Sequence, residues 1–151
     1  MLLIIIMILL DQVVKFTIIK SLYNSSKVII EGVLNLTYVE NRGGAFGIGS
    51  GRLITFIIVN IIVIALIGKF IILKKDDIAT YILISGGLII AGGIGNLIDR
   101  IFRGFVIDYI DINPLFKYPM FNIADICIVA GCITIAINVI INTIKERKEN
   151  K

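Results

Sequence analysis

Histidine is absent from this 151-residue chain. Its absence excludes a Ser-His-Asp or Cys-His catalytic group, a histidine metal site and a histidine pH switch. Proton chemistry is left to carboxylates, lysine, tyrosine or water. Charge is scarce too: 17% of residues are charged and 58% hydrophobic, where soluble domains carry about 25% and about 45–50%. With a mean hydropathy of +0.99, a soluble globular domain is not expected. Only two cysteines are present, Cys127 and Cys132. They lie inside an apolar run with no second pair to build a zinc site, and are read as buried apolar side chains. Gly43 to Gly51 has no Gly-Lys-Ser/Thr ending, and Gly92-Gly93-Ile94-Gly95 lacks a strand-helix setting, so neither is a nucleotide loop.

What the chain does have is long apolar runs. One membrane span takes about 20 apolar residues, so the length accommodates four, leaving no room for a separate soluble domain. Spans are expected at about 1–22, 53–73, 78–98 and 121–144, forming a single integral membrane domain over 1–151. The first run could instead be a cleaved signal peptide. No basic segment precedes it and no small-x-small site follows it, so it reads as a span carrying Asp11 and Lys15. The net charge of +4 does not point to nucleic acid, because the basic residues are scattered apart from the tail Lys145 to Lys151, a membrane-proximal anchor. Four spans put both termini on one face with Lys69, Lys74 and Lys75, the cytoplasmic arrangement that basic residues favour. Lys27, Arg42, Arg52, Arg100, Arg103 and Lys117 fall on the other face, so charge counting alone leaves orientation open.

Two connections on that second face, about 24–51 and 99–120, hold most of the polar chemistry. The first contains β-prone pieces, Lys27 to Ile30 and Val33 to Val39, split by Glu31-Gly32, and reads as a small hairpin or sheet at the membrane surface. Gly87, Ala91 and Gly95 recur every four residues, a stripe that lets span three approach a neighbour closely.

The topology brings Asn41, Asn96, Asp99, Asp108, Asn122 and Asp125 to one face. Asp11 lies about 15 Å along a helix from the N-terminus, directed toward the same half. A carboxylate within a span costs about 2.5–3.5 kcal/mol on insertion, so such residues face a bundle interior and mark function. Each has a plainer alternative. Asp11 could simply pair with Lys15 at i+4, Asp99 and Arg100 could be a solvated helix end, Asp125 could cap the last helix, and Asp108 could be a solvated loop carboxylate. Two aspartates near one interface, with no histidine or metal set elsewhere, nevertheless suit a carboxylate pair that shares a proton and activates water. The competing class is a small proton-coupled transporter or channel subunit centred on Asp11.

Five motifs in order carry a resemblance: Asp11-Gln12-x-x-Lys15, Asn41-x-Gly43-x-Ala45-Phe46-Gly47, Gly92 to Asn96 with Asp99-Arg100, Val106-x-Asp108, and Phe121-Asn122-x-Ala124-Asp125. Together they resemble the lipoprotein signal peptidases (signal peptidase II), bacterial membrane aspartic peptidases. Ala91 stands where that family often has glycine. The resemblance implies four transmembrane helices with an extracellular β-sheet cradle and a lid over Asp108 to Asp125. It implies Asp108 and Asp125 as catalytic residues. Asp11, Asn41, Gly43, Asn96, Arg100 and Asn122 would surround them and position substrate, with Lys15 and Asp99 holding the network. Neither metal nor organic cofactor is expected. The implied substrates are diacylglyceryl-modified prolipoproteins, cut before the lipidated cysteine. The expected setting is the cytoplasmic membrane, with lipid as neighbour, termini cytoplasmic, the active site near the outer face, and the chain monomeric.

Overall fold

The computed structural model describes residues 1–44, 49 and 51–149. Four long helices, α1 (Leu2–Leu22), α2 (Leu53–Lys74), α3 (Thr80–Phe102) and α4 (Ile123–Glu149), alternate in direction. Each is long and apolar enough to cross a membrane. Strands β1 (Ser26–Ile30), β2 (Leu34–Asn41) and β3 (Val106–Asp111) form an antiparallel sheet in the order β1-β2-β3 at the end of the bundle away from both termini.

Helix α3 is the hub, packing against α1, α2 and α4. Its glycines permit this. A side chain at Gly92 would strike the backbone carbonyl of Ala124 in α4, and one at Gly95 would come within 2.6 Å of Asp11 Oδ2 in α1. Gly86 faces Ile71, and Gly93 faces Asn60 and Ile64, all in α2. The small residues therefore form faces toward all three neighbours, of which the stripe of Gly87, Ala91 and Gly95 is one. Where a bundle cannot rely on water to drive association, such close backbone approach supplies the packing.

Two element boundaries and one burial differ from the sequence reading. Helix α3 runs to Phe102, so Asp99 and Arg100 occupy its last turns rather than a loop. The Asp99 and Arg103 ion pair at i,i+4 and the Arg103 N–H bonded to the Asp99 carbonyl carry the helix on. Asp108 likewise lies in a strand, because Val106–Asp111 is rich in β-branched and aromatic residues and finds a partner in β2. Cys127 is buried as expected, but Cys132 is exposed on α4. In a bilayer an apolar side chain gains as much from facing lipid as from facing protein, so hydropathy did not separate the two.

The sheet sits on the bundle through Tyr38, Ile107 and Tyr109, which pack with Ile18 of α1 into one core cluster. Alternation then turns Asp108, between Ile107 and Tyr109, to the opposite face of β3. Backbone bonds between Ile110 and Phe121 close the connection that follows, pinning residue 121 just ahead of α4.

Candidate active site

The start of α4 is built from a reciprocal cap. Asn122 Oδ1 accepts from the Asp125 N–H at 2.9 Å, while Asp125 Oδ2 accepts from the Asn122 N–H at 3.1 Å. Asp125 is thus a capping residue, and its other oxygen is free for a second task. That oxygen, Oδ1, accepts from Asn96 Nδ2 at 2.8 Å. Asp108 is held in the same way: Oδ1 accepts from Asn122 Nδ2 at 2.7 Å and Oδ2 from Asn41 Nδ2 at 2.8 Å. Asn122, fully buried, therefore touches both carboxylates.

Burial, and then the neighbouring Asp125 charge, push the Asp108 carboxyl up to about 7, against the pull of the Asn41 and Asn122 donors and the Lys15 charge. Asp108 is a carboxyl that can hold a proton near neutrality, which is what a general acid requires.

Both carboxylates line a cavity of about 400 Å³ together with Asn41, Asn96 and Arg100. Its far wall is apolar, formed by Phe56, Val59 and Val63 of α2 and Ile128 and Val129 of α4. A second cavity of about 840 Å³ lies against Glu40, Arg42, Gly43, Asn113 and Lys117. The two share Asn41, Asp108, Tyr118, Pro119 and Met120, so Asp108 stands where the cavity walled by α2 and α4 meets a cleft bordered by the charged and amide side chains of Glu40, Arg42, Asn113 and Lys117.

A family model, described as signal peptidase (SPase) II, matches residues 3–141. A lipoprotein signal peptidase of Halothermothrix orenii is 43% identical over 129 residues, 85% of this chain and 86% of that protein. One of Clostridioides difficile is 40% identical over 147 residues, 97% of each. The chain belongs to the signal peptidase II family. A solved bacterial membrane enzyme, determined by the in meso method at 2.3 Å, superposes with a TM-score of 0.86 at 34% identity, covering 94% of this chain and 87% of that one. The protein is accordingly a multi-pass bacterial membrane enzyme, an aspartic peptidase with lipoprotein signal peptidase activity.

The other residues named from the family's motifs fall into two layers. Arg100 stands in the cavity wall, donating from Nη2 to the Gly43 carbonyl at 3.2 Å with its guanidinium 5.5 Å from the centre of the Phe56 ring. Gly43 itself donates to Asn41 Oδ1 at 2.9 Å, which orients the Asn41 amide toward Asp108. Asp11, Lys15 and Asp99 line neither cavity. They lie behind the carboxylates, fully buried, in an ion cluster in which Lys15 Nζ is 2.9 Å from both Asp11 Oδ2 and Asp99 Oδ2. Ala45, Phe46 and Gly47 lie outside the described residues.

Two contributors to the site, Arg103 and Asn60, were given no role from sequence, and Gln12 was named only as part of the first motif. Gln12 donates to Asp11, to Asp99 and to the Gly95 carbonyl, and Arg103 pairs with Asp99 and donates to Gln12. The i,i+4 spacing of Asp99 and Arg103 was the available signal. Asn60, in the middle of apolar α2, donates to the Gly93 carbonyl at 2.9 Å and lines the cavity. A lone amide in an otherwise apolar span was its signal. Among the described residues, no three His, Cys, Asp or Glu side chains gather as a metal group.

Proposed function

We propose that the enzyme hydrolyses the peptide bond before the lipidated cysteine of diacylglyceryl-modified prolipoproteins, using Asp108 and Asp125 on a single water. The observation that carries this reading is that two aspartates, one on strand β3 and one on helix α4, open on one cavity, each anchored by asparagine amides and joined through Asn122.

Asp125, receiving N–H bonds from Asn122 and Asn96 at the head of a helix, is suited to remain the anion and act as general base. It takes a proton from the water as the oxygen attacks the scissile carbonyl. Asp108, protonated, donates to the carbonyl oxygen. The tetrahedral intermediate then collapses, with a proton returned to the leaving nitrogen and the original protonation restored. Asparagine amides orient the pair without competing for its proton.

Amphipathic substrate fits the two-sided cavity. Acyl chains rest against Phe56, Val59, Val63, Ile128 and Val129 while the peptide lies toward the polar cleft. Moving from lipid to this wall costs the acyl chains no apolar contact, so the substrate is seated without leaving the bilayer and the dyad is left to the chemistry. Residues 112–120, pinned by Ile110 and Phe121 and contributing Tyr118, Pro119 and Met120 to both cavities, act as the lid. Lys69, Lys74, Lys75, Lys145, Arg147 and Lys148 at the opposite end favour cytoplasmic termini, with the site at the outer face. The whole arrangement lies within one chain, consistent with a monomer.

A transporter centred on Asp11 has little support, since both Asp11 oxygens are already bonded, to Ala124 N–H, Lys15 and Gln12. The test is to follow a lipidated precursor by gel shift with the purified Asp108→Asn and Asp125→Asn variants. Both are expected to fold and to leave the precursor uncut. Normal processing by either folded variant refutes the dyad.

A further inference from the structure

The buried ion cluster behind the dyad has a geometry that simple helix adhesion does not require. Lys15 Nζ has three N–H donors, and three acceptors surround it: Asp11 Oδ2 and Asp99 Oδ2 at 2.9 Å each, and Asn96 Oδ1 at 3.0 Å. Each acceptor leads to the dyad. Asp11 Oδ1 accepts from the N–H of Ala124, the residue immediately before Asp125, at 3.1 Å. Asp99 Oδ2 accepts from the N–H of Ile107, the residue immediately before Asp108, at 3.1 Å. Asn96, its carbonyl oxygen taken by Lys15, must turn its amide nitrogen outward, where it donates to Asp125 Oδ1 at 2.8 Å.

We propose that Lys15, Asp11 and Asp99 are positioning residues that set the separation of the two catalytic carboxylates, by tying the backbone on either side of the site to one buried ammonium. The proposal rests on the dyad reading above. Three further observations support it. Gln12 bridges Asp11 and Asp99 directly, Arg103 pairs with Asp99 from its solvent side, and the two cations balance the two anions. Desolvating so many charges costs several kcal/mol per ion, and well-packed apolar side chains are often as stabilising or more so. Apolar side chains, however, could not hold two peptide N–H groups at a fixed spacing. Rate is sensitive to such spacing, since a displacement of about 1 Å can cost about 100-fold.

The experiment uses the full-length enzyme in lipid nanodiscs with a synthetic diacylglyceryl prolipopeptide. Asp11→Asn, Asp99→Asn, the double variant and Lys15→Met are compared, with kcat expressed per folded molecule from size-exclusion and melting profiles. Each single variant is expected to lower kcat roughly 10- to 100-fold while KM stays within about twofold. Because both aspartates act through Lys15, the double variant should lose little more than the worse single one, a non-additive result. Lys15→Met, if it folds, should match the double variant. Losses that multiply, or kcat per folded molecule within about twofold of the parent, overturn the proposal, as does a defect confined to KM. Asp108→Asn in the same assay separates the two readings: if it is inactive while the aspartate losses multiply, only the tether fails.

Discussion

Asn41→Leu gives the sharpest test of how the acid is tuned. In the parent enzyme Asn41 Nδ2 donates to Asp108 Oδ2 at 2.8 Å, a bond that favours the charged carboxylate. Burial and the Asp125 charge push the other way, and the balance leaves Asp108 at about 7. Leucine shares the branched side-chain skeleton of asparagine, is bulkier and donates nothing, so water gains no room to replace the lost bond. A hydrogen bond to a charged group contributes about 1.5–3 kcal/mol, and one pH unit corresponds to about 1.4 kcal/mol. The variant should therefore raise the Asp108 value by about one to two units. On the proposed mechanism Asp108 must be protonated to act as the acid, so the parent is expected to lose activity as pH rises through about 7. In the variant the alkaline limb of kcat/KM should move upward, even though the maximum falls because the Gly43 anchor is also lost. The assay is precursor cleavage from pH 5 to about 10 with substrate well below KM. An alkaline limb that stays in place or moves toward acid refutes the assignment of Asp108 as the acid and of Asn41 as its tuner.

Other outcomes follow from the same geometry. Because the Asp108 carboxyl is raised in the folded state, its contribution to stability is present below the ordinary carboxylate range near 4 and is lost as pH climbs through about 7. Asp108→Asn should thus melt above the parent at pH 8, by up to about 4 kcal/mol, with the gap closing toward pH 4 in detergent melts. Gly95→Ala should lower both Tm and kcat, since the new methyl meets Asp11 Oδ2 at 2.6 Å; Gly68→Ala, with nothing within 4 Å, should leave kcat unchanged and add up to about 1 kcal/mol. Val129→Phe, which intrudes on the apolar wall, should raise KM for a diacylated precursor several-fold more than it lowers kcat, as steady-state kinetics would register.

The spans and the order of the polar motifs were legible because charge within an apolar run is costly and therefore informative. Facing was not. Helix α2 is apolar all round and has no buried residue, whereas α3, less apolar, is the hub. In water the buried face announces itself by hydrophobic periodicity; in lipid both faces are apolar, which is why Cys127 and Cys132 read alike and only one is buried. Strand β3 was hidden for another reason. It pairs with β2, some 65 residues earlier, so its order comes from a long-range partner. The division of the acidic residues into a cavity layer and a buried layer also depends on which helix faces meet. Sequence distance does not encode that: Asp11 and Ala124 are 113 residues apart and hydrogen-bonded.

Asp125 illustrates why a structural and a chemical reading of one residue need not compete. Its Oδ2 closes the cap with the Asn122 N–H, and its Oδ1 faces Asn96 at the cavity. The cap fixes the side-chain torsion, so the same bond that starts α4 aims the proposed base. The two roles can be pulled apart by substitution. Asparagine at this position still offers an oxygen to the Asn122 N–H and should keep α4 capped, yet it cannot take a proton from water. Alanine loses both, and a lost cap costs about 1 kcal/mol. Asp125→Asn should therefore be inactive with a melting profile near the parent's, while Asp125→Ala should be inactive and less stable by about that amount. Equal stability of the two variants would show that the cap contributes nothing, and that Asp125 is aimed by Asn96 alone.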